Sequence, residues 1–193
     1  DNGIISFILN SPLKEELSFL SSEWRSGGTI SGNMSLGFPF SNDLSSEIDL
    51  DIRFQLSDFD LIVPEFDLDF RTLEGEGGFY LPHHLSGDFQ GKLFEEKISI
   101  KALSNIESLK FVSEGLADPN MINTITDLSI KEYFEGSFEY FAEMVFEMKG
   151  TNRSNFSLVT DLEGMTVKLP LPFFKEQKES TEFEINIDFD DDK

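Results

Sequence analysis

The chain has 193 residues, 39% of them hydrophobic, so it can bury a sizeable core and is not a disordered acidic tail. A formal net charge of -22 with only 15 Lys and Arg makes nucleic acid a poor partner and an anionic membrane surface a repulsive one. No cysteine is present, which excludes disulfides, thiolate metal sites and a thiol nucleophile, and no run of about 18 apolar residues could span a bilayer.

Ser11-Pro12 predicts a helix start, with Leu13, Leu17, Leu20 and Trp24 on one face and a stop near Ser26-Gly27-Gly28. Thr29–Phe40 reads as a strand. Glu47–Leu56, "EIDLDIRFQL", alternates strictly: Ile48, Leu50, Ile52, Phe54 and Leu56 on one side, acidic and polar residues on the other. Only a strand separates residues with period two. The pattern returns at Glu65–Arg71 and Glu182–Phe189. "EGEGG" at Glu74–Gly78 reads as a turn, followed by short strands at Phe79–Leu81, Gly87–Phe94, Lys97–Leu103 and Leu109–Gly115.

Asp118-Pro119 repeats the helix-start chemistry, and a second short helix is expected through about Tyr133. Strands follow from Glu135, then at Asn155–Asp161, Met165–Leu169 and Thr181–Asp190. The offsets from Ser11 to Asp118 (107) and from Gly28 to Gly136 (108) suggest two similar halves, about 1–115 and 116–193, within one elongated unit.

Little points to catalysis. His83-His84 follows Pro82 and reads as a polar turn, with no HExxH pattern. "GTISG" lacks the spacing of a nucleophile elbow, and "GEGG" leads into no phosphate-binding helix. Asp67 and Asp69 lie on the outward face of an expected strand, where neither a cleft nor unequal environments arise. Asp188 and Asp190–Asp192 read as an acidic tail rather than a calcium loop. Neither an enzyme nor a cofactor is expected. One Trp and three Tyr argue against a carbohydrate-acting site, while 21 Phe provide large apolar area without a polar handle. The one-sided strands fit either a sandwich core with a charged outside or an open apolar groove for lipid chains; the pattern itself serves both.

The segment Val159–Ser180, "VTDLEGMTVKLPLPFFKEQKES", resembles the YhdP family of bacterial AsmA-like (AsmA/TamB-type) envelope proteins. The shared features are Thr160, Asp161, Leu162, Gly164, Leu169, Pro170, Pro172, Lys175 and Glu179. Leu73–Ala102 is similar to a second family pattern, although the family often has Gly where Glu95 and Phe174 stand here. The resemblance implies a mainly β fold: a long, curved, predominantly antiparallel sheet forming a taco-like groove, with two short helices. It implies a fragment of a longer periplasmic protein of a Gram-negative bacterium, anchored in the inner membrane by a segment outside this chain. It implies phospholipid acyl chains as the cargo between inner and outer membranes. On that reading Ile48, Leu50, Ile52, Phe54, Leu56, Phe66, Leu68, Phe70, Phe183, Ile185 and Ile187 line the groove. The competing reading is a structural or interaction module of the envelope with a closed core.

Overall fold

A computed structural model describes residues 3–10, 14, 20–37, 49–80, 84–126, 131–147 and 153–190. A short helix, α1 (Gly3–Leu9), is followed by β1 (Arg25–Gly37), β2 (Asp49–Val63), β3 (Leu68–Tyr80), β4 (His84–Leu93), β5 (Glu96–Ser104) and β6 (Ser108–Ala117). Then come α2 (Pro119–Thr126), β7 (Phe134–Gly136), β8 (Phe138–Glu147), β9 (Arg153–Thr160), β10 (Met165–Val167) and β11 (Phe183–Asp190).

Nine strands form one antiparallel sheet in the order β1-β2-β3-β4-β5-β6-β8-β9-β11, while β7 and β10 pair separately. Neighbours in sequence are thus neighbours in space, as tight antiparallel connections require. The sheet does not close: β1 and β11 are its two edges.

Bulges crease one end. Register slips between Gly27 and Thr29 on β1, between Leu56 and Phe59 on β2, and between Arg71 and Glu74 on β3. Gly28, Asp58 and Thr72, at these slips, all have positive φ. A bulge bends its strand and increases the twist, so three side by side bend the sheet. Asp60 braces the crease, accepting from Arg71 Nη1 at 3.1 Å and from the Thr72 N–H at 3.0 Å.

Several expectations need correction. Of the two expected helices, the second lies within the described residues. It starts as expected, with Asp118 Oδ1 accepting the Met121 N–H at 2.8 Å and Pro119 in the first turn. It runs over Pro119–Thr126, and Lys131–Tyr133 is a turn. Most of the expected Ser11–Trp24 helix lies outside the described residues; at its end Trp24 closes a turn on Ser21, its N–H donating to the Ser21 carbonyl at 3.3 Å.

Glu74–Gly78 is not a turn but the middle of β3. Its glycines make room. A Cβ on Gly77 would lie 2.5 Å from Phe54 Cζ, and one on Gly87 would lie 2.4 Å from the Phe89 ring. The rings of Phe54 and Phe89 lie across these gaps and stack at 6.2 Å. The expected strand over Glu65–Arg71 begins only at Leu68. Pro64–Phe66 is a single 3-10 turn ending in left-handed Asp67, because Pro64 supplies no N–H to a ladder and fits the first position of a turn.

Candidate functional site

Strand register joins the apolar sides into one face. Met34 lies opposite Ile52, Ile52 opposite Phe79, and Phe79 opposite Leu85. Phe89 pairs with Ile100 and Ala102 with Phe111 on the next two ladders. Phe111 faces Met144, Met144 faces Phe156, and Phe156 faces Ile187. Because every ladder is antiparallel and these residues pair directly across it, they point to the same side of the sheet.

Of the eleven residues picked from the sequence, Leu50, Ile52, Phe54 and Leu56 (β2), Leu68 and Phe70 (β3), and Phe183, Ile185 and Ile187 (β11) share this face. Phe66 sits on the 3-10 turn instead, and Ile48 lies outside the described residues. The eleven left out β4, β5 and β6, whose inward Phe89, Ile100 and Phe111 are interspersed with Gly, Ala and Ser, and β8, whose inward side carries Tyr140, Met144 and Phe146.

The sheet coils toward this apolar side. Phe66, beside the β2–β3 turn, and Phe189, near the far end of β11, meet edge to face with ring centroids 6.2 Å apart. One end of the face is covered. Met121 from α2 and Met165 from β10 pack with Leu93, Ile98, Ala117, Phe138, Tyr140 and Ala142. Burial there pushes the Tyr140 hydroxyl up to about 12. Toward the crease a second cluster forms from Leu56, Phe59 and Leu73.

The opposite face is polar over most of its area, with Leu103 and the Phe141–Val159 pair exposed on it. Lys110 pairs with Glu143, and Asn155 donates to Asp188 at 2.8 Å. A shallow concavity of 1780 Å³ crosses eight strands on that side, lined among others by Gln55, Asp88, Glu114, Glu139 and Glu184. A twisted sheet bends toward opposite sides along its two diagonals, which gives each face its own hollow.

The segment that carried the family resemblance is a closed loop between β9 and β11. Thr160 Oγ1 donates to the Glu139 carbonyl at 2.7 Å and accepts the Leu162 N–H at 3.0 Å. Gly164 has φ +96, and a Cβ there would sit 2.3 Å from the Ser137 carbonyl oxygen. The Lys175 ammonium, on a residue 5% exposed, donates to the carbonyls of Leu162 at 2.8 Å, Met165 at 2.9 Å and Glu176 at 3.1 Å. Three aimed carbonyls replace the water that a buried charge would otherwise lose. The Thr181 N–H then donates to the Asp161 carbonyl at 2.6 Å, returning the chain to β11.

Among the described residues no three His, Cys, Asp or Glu side chains gather where they could hold a metal ion. No described helix is long and apolar enough to cross a membrane.

The geometry defines an open antiparallel sheet, apolar on its coiled inner side and charged on its outer side. A comparison with protein families matches residues 2–193 to the YhdP protein family, and the chain belongs to it. No curated protein and no solved structure matches the chain.

Proposed function

We propose that the inner face holds phospholipid acyl chains and lets them move along the sheet without catalysis. The observation that carries this reading is the state of the two edge strands. Met34 on β1 is 66% exposed and Phe183 on β11 is 46% exposed, yet both point to the side on which Leu56, Phe79 and Leu109 are buried. A closed sandwich would cover such side chains; an open groove leaves them for an apolar occupant.

The energetics suit the cargo. Bringing a lipid chain into water costs about 0.8 kcal/mol per CH₂, or on the order of 12 kcal/mol for a sixteen-carbon chain. A continuous face of Ile, Leu and Phe offsets most of that cost. Hydrophobic contact is non-directional, so no one position traps the chain and the barriers to sliding stay modest. Head groups remain in water at the open side. Membership of the YhdP family supports placing the groove in the bacterial envelope. Transport between the inner and outer membranes of a Gram-negative bacterium, through the periplasm and from an inner-membrane anchor outside these residues, is the role we assign to the whole protein.

The competing reading, an envelope interaction module with a closed core, draws on the dense cluster around Met165. Native mass spectrometry of the purified chain separates the two. Co-purified phospholipid that is lost on Ile52→Glu supports the groove, and a chain that carries no lipid under mild conditions supports the closed core.

A further inference from the structure

The loop after β10 presents an apolar tip on a braced base. Val167 and Lys175 exchange backbone hydrogen bonds at 2.9 and 3.1 Å, and the Lys168 N–H donates to the Tyr133 carbonyl at 2.7 Å. The buried Lys175 ammonium fixes the base from inside through its three carbonyls. At the tip the Phe173 N–H donates to the Pro170 carbonyl at 3.0 Å. Leu171 is 85% exposed, Phe173 70% and Phe174 48%. Three large apolar side chains held together in water on an ordered loop mark a contact site.

Charge and shape select the occupant. The chain carries a net -22, but Met165–Thr181 is close to neutral at its surface, with Lys168 and Lys178 against Glu176 and Glu179 and with Lys175 buried. This segment is therefore spared the repulsion that the acidic remainder would meet at a phospholipid surface. Tyr133, itself exposed, and Lys168, whose ammonium pairs with Glu135, sit at the base, where an amphipathic ring and a long, charge-balanced stem suit the head-group level. A projecting tip needs a matching pocket on a protein partner, whereas a bilayer yields around it.

We propose that Leu171, Phe173 and Phe174 form a wedge that inserts into the interface of a zwitterionic phospholipid bilayer, with Tyr133 and Lys168 among the head groups. The wedge requires a bilayer but not the groove, so the two readings stand separately.

Co-flotation of the purified chain with phosphatidylcholine–phosphatidylethanolamine vesicles tests it. The wild type floats with the vesicles, and Leu171→Ser/Phe173→Ser reduces the bound fraction by about fivefold or more, as expected for losing buried apolar area. These side chains are exposed, so the variant keeps the wild-type melting temperature. In a Trp24→Phe background, the indole introduced by Phe173→Trp shifts to the blue with vesicles and is quenched by brominated acyl chains. A wild type that stays unbound, a double variant that binds equally, or an unquenched indole overturns the proposal. So does self-association that Leu171→Ser/Phe173→Ser abolishes in a chain that never floats. Ile52→Glu distinguishes the two readings, because it should lower co-purified lipid and leave flotation unchanged, whereas the tip variant does the reverse.

Discussion

Phe66, on the turn joining β2 to β3, and Phe189, near the far end of the edge strand β11, are separated by most of one sheet, yet their rings meet edge to face at 6.2 Å. Between β3 and β11 lie six strand-to-strand steps, roughly 29 Å across a flat sheet at about 4.8 Å each. The contact therefore requires the sheet to coil toward its apolar side. The chain has no cysteine, so Phe66→Cys and Phe189→Cys can be labelled selectively. Spin labels at these two sites should give a narrow distance distribution well below the flat-sheet value of roughly 29 Å. A broad distribution at or beyond that value would show that the two residues do not meet.

The glycines of β3 and β4 should be intolerant of side chains, in an order set by what stands in the way. At Gly75 an added Cβ would lie 2.1 Å from the Asp88 carbonyl oxygen with φ at +147, and backbone cannot step aside. At Gly77 the obstacle is the Phe54 ring. Gly77→Ala should cost about 1–3 kcal/mol, and Gly75→Ala more. Adding Phe54→Leu should recover part of the Gly77→Ala loss and none of the Gly75→Ala loss. Urea denaturation of the four variants checks this order.

Removing the Lys175 ammonium takes a charged donor from the carbonyls of Leu162, Met165 and Glu176, of which Leu162 and Glu176 keep the backbone N–H groups of Met165 and Glu179. Lys175→Met should destabilise the chain by about 3 kcal/mol. Lys175→Arg should not restore it, because a planar guanidinium cannot place donors on three converging carbonyls as a tetrahedral ammonium can. Equilibrium unfolding measures both; a loss within experimental error for Lys175→Met would remove the ammonium from its structural role.

Burial raises the Tyr140 hydroxyl to about 12 from an ordinary value of 10.0. Folding thus favours the neutral phenol. Its contribution is fully present below pH 10 and is lost as pH rises through 12. A shift of this size corresponds to about 2–3 kcal/mol. Stability should fall across that alkaline window, and Tyr140→Phe should flatten the fall. An unchanged pH profile in Tyr140→Phe would place the loss elsewhere.

Legibility in the sequence followed the range of the physics involved. Strict alternation from Leu50 to Leu56 revealed a strand and its greasy side, because period two is local to the chain. Asp118-Pro119 revealed a helix start for the same reason. "EGEGG" misled, since Gly77 answers to the Phe54 ring on β2 and Gly75 to the Asp88–Phe89 backbone on β4, neighbours that lie on other strands. Phe66 continued an alternation that Pro64 had already ended. The coil joining Phe66 to Phe189 accumulates over many strands, and no window of sequence contains it. Lys175 stood out in the sequence only as part of the family motif; the folded loop shows three carbonyls aimed at it.

The groove reading is tested most directly by placing a photoreactive residue at single positions on the two faces of the same strands. Ile52 and Ile185 face inward, while Gln55 and Asn186 face outward. Illumination in the presence of phospholipid should give lipid adducts at Ile52 and Ile185 and few at Gln55 and Asn186. Equal labelling on both faces, or adducts at none of the four, would contradict a groove that carries acyl chains.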